Sequence, residues 1–465
     1  MSSRALMVGA VVASAAVLAA GGATRMSAAS FTADVTAAGN VLTADRLGNH
    51  FAVVPGPSAS GDVDSLAVDL GLVASPGPVG GVFTVTNVSP QSRTATLALL
   101  GPSQVASAAF ASSGTASATL APGASTSVTL TTSPTVAGRG SGTLRLGLGG
   151  SSWLYRDYDL DLDAAPAAPA TLNAVAMAAG RVDLSWSASA TTVNLAGYHV
   201  YRTAGAAWTK LTATPLAGTS YSDTATVDGT QYSYAVRAVS TGAPALESVD
   251  SPHAGARADA TPPVLPSAVL LANGTGQGSQ WISLANRSSV SVSVTLPGSS
   301  LASDTVRVVL SNGVASVTKT APAPSGGGTF LVGGIDAFTI PDGTVTISVT
   351  VADAAGNVSA AKTASAPKDT VAPAAPSATY IDERKAEDGI TGGAEAGSLV
   401  SATQTAPAAS GPYTATASGA GAYTLVVAQT DGSPAKPVTV TYLVTATDLA
   451  GNVSAVTTLT AEATR

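Results

Sequence analysis

One short segment occurs twice in this chain, and each copy directly follows a run of mostly alternating apolar and polar residues. The copies are Asp-Ala-Ala-Gly-Asn-Val-Ser-Ala at 353–360 and Asp-Leu-Ala-Gly-Asn-Val-Ser-Ala at 448–455. The preceding runs, 345–351 and 438–444, place side chains alternately on two faces, which predicts β-strands with one face in a core. Gly-Asn tolerates a positive φ, so the chain can turn tightly before the next strand. The copies lie 448 − 353 = 95 residues apart, and a strand–turn–strand unit at that period predicts tandem β-sandwiches.

The composition favours thin sheets with many turns over long helices. Only 11% of the 465 residues are charged, 45% are hydrophobic, and Ala, Gly, Ser, Thr and Val dominate. Small and β-branched residues suit turns and strands, and the apolar fraction can supply a core to each sandwich. Because such sandwiches have about 100 residues, the length predicts four of them in an all-β fold class.

Charge and cysteine content exclude several classes of function. The net charge of −7 argues against nucleic acid, which needs a basic surface, and against docking to anionic lipid. The chain has no cysteine, which excludes a disulfide framework, a thiol nucleophile, thiolate metal sites and a lipid-modified cysteine.

The first residues have the three parts of a secretory signal peptide. A basic start, an apolar run from Ala5 to Ala20 and small residues around 23–30 predict a signal peptide over 1–29, cleaved near Ala28 or Ala29. The alternative, a retained membrane anchor, needs about 20 apolar residues, more than this run supplies. We therefore expect a secreted, extracellular protein that can associate with the cell wall and has no membrane span after cleavage.

Residues 28–44 carry a resemblance that extends this prediction. The Ala-Ser-Phe at 29–31 and the Asn-Val-Leu-Thr-Ala at 40–44 resemble the N-terminus of camelysin and TasA-type exported proteins, in which the last glycine of the motif stands where this chain has Asp45. The resemblance covers an N-terminal segment over 30–49 and implies export through a dedicated signal peptidase. In some relatives it also implies assembly into surface fibres, so self-assembly is a predicted property.

Residues 50–163 alternate β runs with turn clusters. The runs at 82–88, 94–99 and 127–131 have a period of two, and Pro122-Gly123 predicts a turn between the last two. The pattern resembles Ig-like modules with a Thr-Asn strand and a Leu-x-Pro-Gly-x-Ser turn.

The run at 157–163 places four aspartates on one face of a strand. Asp157, Asp159, Asp161 and Asp163 alternate with Tyr158, Leu160 and Leu162. One interpretation is a ladder that binds cations, and the other is the solvated face of an edge strand, where charge deters pairing with other chains. We favour the second, because calcium needs oxygen ligands from several directions.

Residues 164–259 carry the strongest family resemblance. Val-Asp-Leu-Ser-Trp at 182–186, Gly-Tyr-His-Val-Tyr-Arg at 197–202 and Gln-Tyr-Ser-Tyr-Ala-Val at 231–236 resemble strands of a fibronectin type III domain. The resemblance implies that Trp186 is a core residue and that Tyr232 is the tyrosine-corner residue, whose hydroxyl bonds to upstream backbone.

The two Asp-x-Ala-Gly-Asn copies lie in segments 264–367 and 372–462, which resemble bacterial Ig-like domains of surface proteins. With the two earlier modules, the fold class is a tandem array of four Ig-like or fibronectin type III sandwiches after a signal peptide. Pro-containing linkers at 164–169, 259–263 and 368–376 separate them.

The two Asp-x-Ala-Gly-Asn loops, together with the linker at 368–376, are candidate calcium sites. Their candidate ligands are Asp353, Asn357, Asp369, Asp448 and Asn452. The alternative is that Asp and Asn bond to their own backbone and fix the turn, and one carboxylate per loop is few for calcium. The acidic and basic residues at 382–388 are interpreted as a solvated loop.

Catalysis finds little support in the sequence. His50, His199 and His253 are scattered, and no nucleophile elbow, phosphate loop or zinc spacing is present. A distant carboxylate pair for glycoside hydrolysis stays open, but the predicted sandwiches leave no segment for a catalytic domain. We predict a protein that is not an enzyme and has no cofactor apart from the candidate calcium.

The predicted function is that of a secreted or cell-surface structural and adhesive protein. Its expected partners are a cell-wall polymer, extracellular matrix or another surface protein. A second hypothesis is an accessory protein that binds glycan or wall polysaccharide through Trp153, Tyr155 and Tyr158, which no core motif claims. A hydrolase on an Ig-like scaffold is a third.

Overall fold

The computed structural model describes residues 36–37, 40–41, 45–273, 279–383 and 387–464. These residues form strands, turns and two short 3₁₀ helices, Leu47–Asn49 and Ala178–Gly180. The predicted all-β class of tandem sandwiches is confirmed. The predicted signal peptide and most of segment 30–49 lie outside the described residues, except for the short antiparallel pair β1 (Thr36–Ala37) and β2 (Asn40–Val41).

The chain divides into two compact units. Among the described residues, the first unit contains those up to Asn173, together with Leu184–Tyr221 and Ser233–Gly255. The second contains Ala174–Asp183, Ser222–Tyr232 and the residues from Ala256 onward.

The first sandwich lies entirely in the first unit. Its strands are β3 Phe51–Pro55, β4 Ala59–Ser60, β5 Ala67–Val73, β6 Pro78–Val79, β7 Phe83–Asn87, β8 Arg93–Leu99, β9 Val105–Phe110, β10 Ser117–Leu120, β11 Ser125–Thr132, β12 Gly138–Leu148 and β13 Tyr155–Ala164. One sheet has the order β10-β8-β12-β13-β5-β4, and the other has the order β3-β7-β11-β6, with β9 also paired to β11. Inward residues of both sheets form one core around Phe51, Phe83 and Phe110.

Asn87, at the end of the Thr-Asn strand, connects that strand to the Pro-Gly turn by hydrogen bonds. Its buried amide donates to the carbonyls of Leu120 and Gln91, and its Oδ1 accepts from Ser89 N. Its backbone carbonyl accepts from Gly123 N. One side chain therefore fixes the end of β7 against the turn that precedes β11.

The acidic run occupies β13, where the alternation of buried and exposed residues is as predicted. The prediction of an edge strand is wrong, because β13 pairs antiparallel with β12 and parallel with β5. The aspartates therefore lie on the solvent face of an interior strand of the six-stranded sheet. Arg139 on β12 pairs with Asp163, and Arg145 on β12 pairs with Asp157.

The second sandwich has a three-stranded sheet, β14-β15-β18, and a four-stranded sheet, β17-β16-β19-β20. The strands are β14 Leu172–Ala176, β15 Val182–Trp186, β16 Leu195–Thr203, β17 Thr209–Lys210, β18 Ser220–Asp223, β19 Gln231–Ser240 and β20 Ala254–Arg257. Trp186 is buried and packs edge-to-face on Tyr198, with 5.7 Å between ring centroids. Tyr232 is buried, and its hydroxyl accepts a 3.0 Å hydrogen bond from Val227 N. This sandwich is fibronectin type III-like.

The third sandwich lies in the second unit and has its own core of valine, leucine and isoleucine side chains. Its strands are β21 Ala268–Leu271, β22 Ile282–Ser283, β23 Val290–Leu296, β24 Thr305–Ser311, β25 Ser316–Pro322, β26 Gly328–Ile335, β27 Gly343–Ala352 and β28 Lys362–Asp369. The sheet orders are β21-β23-β26 and β22-β28-β27-β24-β25. The long strand β27 is the first predicted alternating run, and every second residue from Val345 to Val351 is buried.

The fourth sandwich repeats this plan in the same unit. Its strands are β29 Thr379–Ile381, β30 Asp388–Gly393, β31 Leu399–Ala406, β32 Ser410–Thr416, β33 Ala422–Val427, β34 Val438–Thr447 and β35 Thr457–Ala463. The sheet orders are β29-β30-β33 and β32-β31-β34-β35. Its core contains Tyr423 and Tyr442.

Across the described ranges, no helix has the length and apolar character needed to span a membrane.

Candidate functional site

The two Asp-x-Ala-Gly-Asn loops have the same internal geometry. In the first, Asp353 Oδ1 accepts from Asn357 N at 2.8 Å and Oδ2 accepts from Asn357 Nδ2 at 2.9 Å. In the second, Asp448 Oδ1 and Oδ2 accept from Asn452 N and Nδ2, both at 2.8 Å. Each aspartate therefore binds the backbone and the side chain of the asparagine that ends its own turn.

The positive φ of these turns belongs to the glycine alone. Gly356 has φ +90° and Gly451 has φ +88°, whereas Asn357 and Asn452 are not among the residues with positive φ. Our prediction that the asparagine also uses its tolerance of this conformation is wrong. The asparagine is needed for its side chain, since both ends of the amide form hydrogen bonds.

The amide of Asn357 also contacts backbone that precedes its own sandwich. Its Oδ1 accepts from Ala179 N at 2.9 Å, and its Nδ2 donates to the carbonyl of Asp259 at 3.1 Å. Ala179 lies in the turn between β14 and β15, and Asp259 follows β20. All three residues belong to the second unit.

Asn452 makes the equivalent contacts one sandwich later. Its Oδ1 accepts from Leu284 N at 2.8 Å, and its Nδ2 donates to the carbonyl of Asp369 at 3.0 Å. Leu284 follows β22, which pairs in parallel with the end of β28. The asparagine amide therefore joins two backbone segments at the end of the preceding sandwich, as a peptide group does between paired strands.

These contacts bear directly on the predicted calcium ligands. In each loop the donor Nδ2 lies between a carboxylate oxygen and a backbone carbonyl, oxygen atoms of the kind that calcium binds. Asp369 directs Oδ1 to Val371 N at 3.0 Å. The described residues contain no group of three or more His, Cys, Asp or Glu side chains able to hold a metal. The arrangement has the chemistry of a hydrogen-bonded turn, and the calcium site stays a prediction.

The structure separates the three predicted glycan-binding residues. Trp153 lies in the turn between β12 and β13 and is 65% exposed. Tyr155 is half-buried, and the guanidinium of Arg145 lies 3.7 Å from its ring centroid. The same guanidinium binds both carboxylate oxygens of Asp157, and this hydrogen bonding raises the pKa of Arg145. One face of Tyr155 is therefore already covered.

Tyr158 lies in the core and not beside Trp153. Its ring packs edge-to-face on Phe83, with 6.0 Å between centroids, and its hydroxyl donates to the carbonyl of Val63 at 2.9 Å. Burial raises the pKa of this phenol. Trp153 and Tyr155 are the two members of the predicted set with surface exposure.

A polar cluster on the four-stranded sheet of the second sandwich was not predicted. The Tyr201 hydroxyl donates to Glu247 at 2.6 Å, Lys210 and Arg237 pair with the same carboxylate, and Arg237 also pairs with Asp250 at 2.6 Å. Burial and the bond to Glu247 raise the pKa of Tyr201 to about 12. Burial alone would raise the pKa of Glu247, but these three donors lower it overall. The sequence could have indicated part of this cluster, because Tyr201 and Arg237 lie on the neighbouring strands β16 and β19. It could not have indicated Glu247, which lies outside the named strands.

The histidines bind separate partners. His50 Nε2 lies 2.7 Å from Asp45, His199 Nδ1 lies 3.0 Å from the hydroxyl of Thr212, and His253 packs against Trp208, with 4.8 Å between ring centroids. Burial lowers the pKa of His199. The three rings do not form one site.

The segment 382–388 is not wholly solvated as predicted. Asp388 is fully buried, where Tyr380 donates to it at 2.5 Å and the backbone N–H groups of Thr430 and Glu383 donate at 2.8 and 3.1 Å. Burial, followed by the bond to Asp388, raises the pKa of Tyr380. This carboxylate is a structural acceptor at the start of β30, because three donors surround it.

Comparisons with known proteins return solved structures only. No family model matches the chain, and no curated protein matches it. Among the solved structures, the FN1–FN3 domains of chicken CNTN1 have 13% identity over 65% of this chain and 100% of that chain, with a TM-score of 0.28. An Fn3-like protein from Clostridium thermocellum has 35% identity over 20% of this chain and 91% of that chain, with a TM-score of 0.17. A tetra-tandem repeat in the extending region of a large adhesion protein has 18% identity over 85% of this chain and 98% of that chain, with a TM-score of 0.23. Because all three TM-scores are below 0.5, the fold assignment rests on the strands, sheets and cores described above.

Proposed function

We propose that this chain is an exported, non-catalytic structural and adhesive protein that binds uncharged, hydroxyl-bearing polymers. The binding surfaces are the outward faces of the five-stranded sheet of the third sandwich and of the four-stranded sheet of the fourth. The predicted resemblance of residues 28–44 to camelysin and TasA-type proteins supports export, and the predicted resemblance of segments 264–367 and 372–462 to bacterial Ig-like domains supports a place at the cell surface. The observation that carries the proposal is the composition of two outward sheet faces in the second unit.

The first face belongs to the five-stranded sheet of the third sandwich. Its outward strand positions are mostly hydroxyl residues with little charge; the charged side chains among them are Arg307 and, at the end of β28, Asp369. The hydroxyl residues are Thr305, Ser311, Ser316, Thr318, Thr320, Thr344, Thr346, Ser348, Thr350, Thr363 and Ser365. Registered pairing places them in rows across the sheet, for example Thr320 opposite Arg307 and Arg307 opposite Thr350.

The second face belongs to the four-stranded sheet of the fourth sandwich. Its hydroxyl residues are Ser401, Thr403, Thr405, Thr414, Thr416, Thr439, Thr441, Thr445, Thr447, Thr458 and Thr460. Glu462 supplies the charge on this face, at the edge strand β35. The same kind of surface therefore occurs on two consecutive sandwiches.

Such faces suit a neutral partner for a simple physical reason. Burying a lysine or glutamate head group on a surface carries a large desolvation cost, whereas a threonine hydroxyl can exchange one hydrogen bond for another and its methyl group gains from burial. Strand pairing repeats the hydroxyls at about 4.8 Å across the sheet and about 6.8 Å along each strand. A flat polymer rich in hydroxyl groups can meet many of them at once.

The test compares two lysine variants of the full chain in co-sedimentation with insoluble cell-wall polysaccharide. Thr318→Lys, Thr346→Lys and Thr350→Lys together place charge on the proposed face, and we expect about tenfold weaker binding. The matched control, Ser293→Lys with Thr295→Lys and Thr329→Lys, adds the same charge to the other sheet of the sandwich and should bind as the wild type does. Equal losses in both variants, or no sedimentation of the wild type, would contradict the proposal.

Export and surface location are tested by fractionation of producing cells, with electron microscopy of the sediment. Fibres or a wall-bound layer support the proposal. A soluble monomer in the medium that binds no wall fraction contradicts it.

A second candidate function, glycan binding at a discrete site, is supported by the exposure of Trp153. An indole that is 65% exposed beside a half-covered tyrosine offers one apolar face for a sugar ring. Trp153→Ala should abolish binding to soluble oligosaccharides if this site acts, while Trp208→Ala, at another exposed indole, serves as the control. Unchanged affinity in Trp153→Ala excludes the site.

A further inference from the structure

A second short motif recurs in the second unit and faces the linkers that follow the second and third sandwiches. Asp228-Gly229-Thr230 precedes β19, and Asp342-Gly343-Thr344 begins at the corresponding place before β27. Each aspartate directs its carboxylate away from its own strand and toward the linker that follows its own sandwich.

In both places the carboxylate accepts from the backbone N–H that follows the linker aspartate and from a threonine hydroxyl of the linker. Asp228 accepts from Ala260 N and from the hydroxyl of Thr261, both at 2.6 Å. Asp342 accepts from Thr370 N at 2.9 Å, from the hydroxyl of Thr370, and from the buried Lys368 Nζ at 2.7 Å.

Each linker also begins with the same turn. Asp259 Oδ1 accepts from Thr261 N at 3.0 Å, and Asp369 Oδ1 accepts from Val371 N at 3.0 Å. This turn exposes the carbonyls of Asp259 and Asp369, which are the acceptors for Asn357 and Asn452. The linker is therefore bonded on one side by the preceding sandwich and on the other by the next one.

We propose that these groups form a repeated joint in which the asparagine of each Asp-x-Ala-Gly-Asn loop fixes its sandwich to the end of the preceding one. The 357 joint consists of Asp228, Ala179, residues 259–261 and Asn357. The 452 joint consists of Asp342, Leu284, residues 369–371 and Asn452. The three sequence elements, Asp-Gly-Thr, a linker aspartate and Asp-x-Ala-Gly-Asn, together specify the joint.

Asparagine is suited to this position because its amide has one acceptor and one donor end. The oxygen meets a backbone N–H of the preceding sandwich and the nitrogen meets a linker carbonyl, so both ends are satisfied at once. Aspartate would lack the donor and would place a second negative charge within 3 Å of Asp448. An alanine would leave Leu284 N and the Asp369 carbonyl without this partner.

The first measurement is hydrogen exchange of the wild-type full chain, read by mass spectrometry on peptides that contain Leu284 and Ala179. If the joints exist in solution, both amides exchange more slowly than unbonded amides, by about tenfold or more. Exchange of both amides at the unprotected rate overturns the proposal without any variant.

Two variants then test whether the asparagine side chains cause the slow exchange of these amides. Asn452→Ala should raise the exchange of Leu284 about tenfold and leave Ala179 unchanged, and Asn357→Ala should do the reverse. The control is Asn312→Ala, since Asn312 binds Val314 N and Ala315 N within its own sandwich. Protection of Leu284 that persists in Asn452→Ala, with the core of the fourth sandwich intact, overturns the assignment.

Distance measurements separate a joint from a purely local turn. The chain has no cysteine, so Ser316→Cys and Thr458→Cys allow spin labels to be placed on the third and fourth sandwiches. We expect a narrow distance distribution in the wild-type background that broadens with Asn452→Ala and stays narrow with Asn312→Ala. A distribution that is equally narrow in all three overturns the proposal, because a local turn would not affect the distance.

Discussion

The 452 joint and the contact between the first and second sandwiches use different groups for their hydrogen bonds. In the 452 joint, one asparagine side chain links Leu284 N with the carbonyl of Asp369. Between the first two sandwiches, backbone does most of this work: Val136 pairs in parallel with Val193, and Thr192 N and Val193 N both donate to the carbonyl of Thr135 at 2.9 Å.

Side chains only supplement the backbone at that first contact. The buried Thr191 hydroxyl accepts from Ala167 N and donates to the carbonyl of Pro134, and Asn194 Nδ2 donates to the carbonyl of Ala137. A contact carried by backbone leaves the neighbouring side chains freer to vary, whereas a contact carried by one amide requires asparagine at one place. This difference accounts for the asparagine that the two joints share, Asn357 in one and Asn452 in the other.

The largest expected effect comes from removing the aspartate that orients the asparagine. Asp448→Ala takes two charge-assisted acceptors from Asn452 in a buried turn, so we expect the free energy of unfolding of the second unit to fall by about 3 kcal/mol. Asp353→Ala, at a more exposed position, should cost about 1 to 2 kcal/mol. Thermal and urea unfolding measure both, and an equal loss in the two variants would contradict this ranking.

At the first contact the buried threonine should matter most. Thr191→Val keeps the shape but removes the hydroxyl, leaving Ala167 N and the Pro134 carbonyl without their partner, at a cost of about 2 kcal/mol. The matched control, Thr192→Val, changes an exposed side chain whose residue contributes only its backbone N–H. Denaturant unfolding of the first unit should separate the two, and similar stabilities would show that backbone alone maintains the contact.

A smaller effect is expected from Asn194, which is exposed and has a positive φ of +62°. Asn194→Gly retains the left-handed backbone and removes the amide, so the cost should be about 0.5 to 1 kcal/mol. Asn194→Ala should cost about 1 kcal/mol more, since alanine is strained in this conformation. If both variants unfold like the wild type, the side chain does not support the contact.

The smallest effect is a difference in acid sensitivity. Hydrogen bonds from a backbone N–H and a hydroxyl lower the pKa of Asp228. Burial by itself raises the pKa of Asp342, but the hydrogen bonds from Lys368 and Thr370 outweigh it, so this pKa is also lowered. A lowered folded-state pKa means that the stabilisation is full above the ordinary value of 3.8 and is lost as the pH falls through the folded-state pKa. Exchange at Ala179 and Leu284 should therefore rise below pH 3.8, after correction for the intrinsic rate.

The first contact supplies the comparison for this experiment. Its bonds use threonine, asparagine and backbone, which do not titrate there. The corrected exchange of Val193 should stay constant over the same pH range. A parallel rise at Val193 would indicate general acid unfolding instead of loss of the joints.

The sequence alone determined the all-β class, the strand faces and the two repeated loops, because side-chain alternation and Gly-containing turns are local properties of the chain. It also identified Trp186 and Tyr232 as core residues through the family pattern. For these features a residue and its near neighbours contain the necessary information.

The tertiary structure decided which partners those residues meet. The amide of Asn452 binds Leu284, 168 residues away, Tyr158 turns into the core, and β13 lies inside a sheet although its charge suggested an edge. Each outcome depends on which distant strand packs beside the segment, and no local pattern encodes that neighbour. Asparagine was predictable as a turn residue, but its role across the joint became visible only when both linkers were in place.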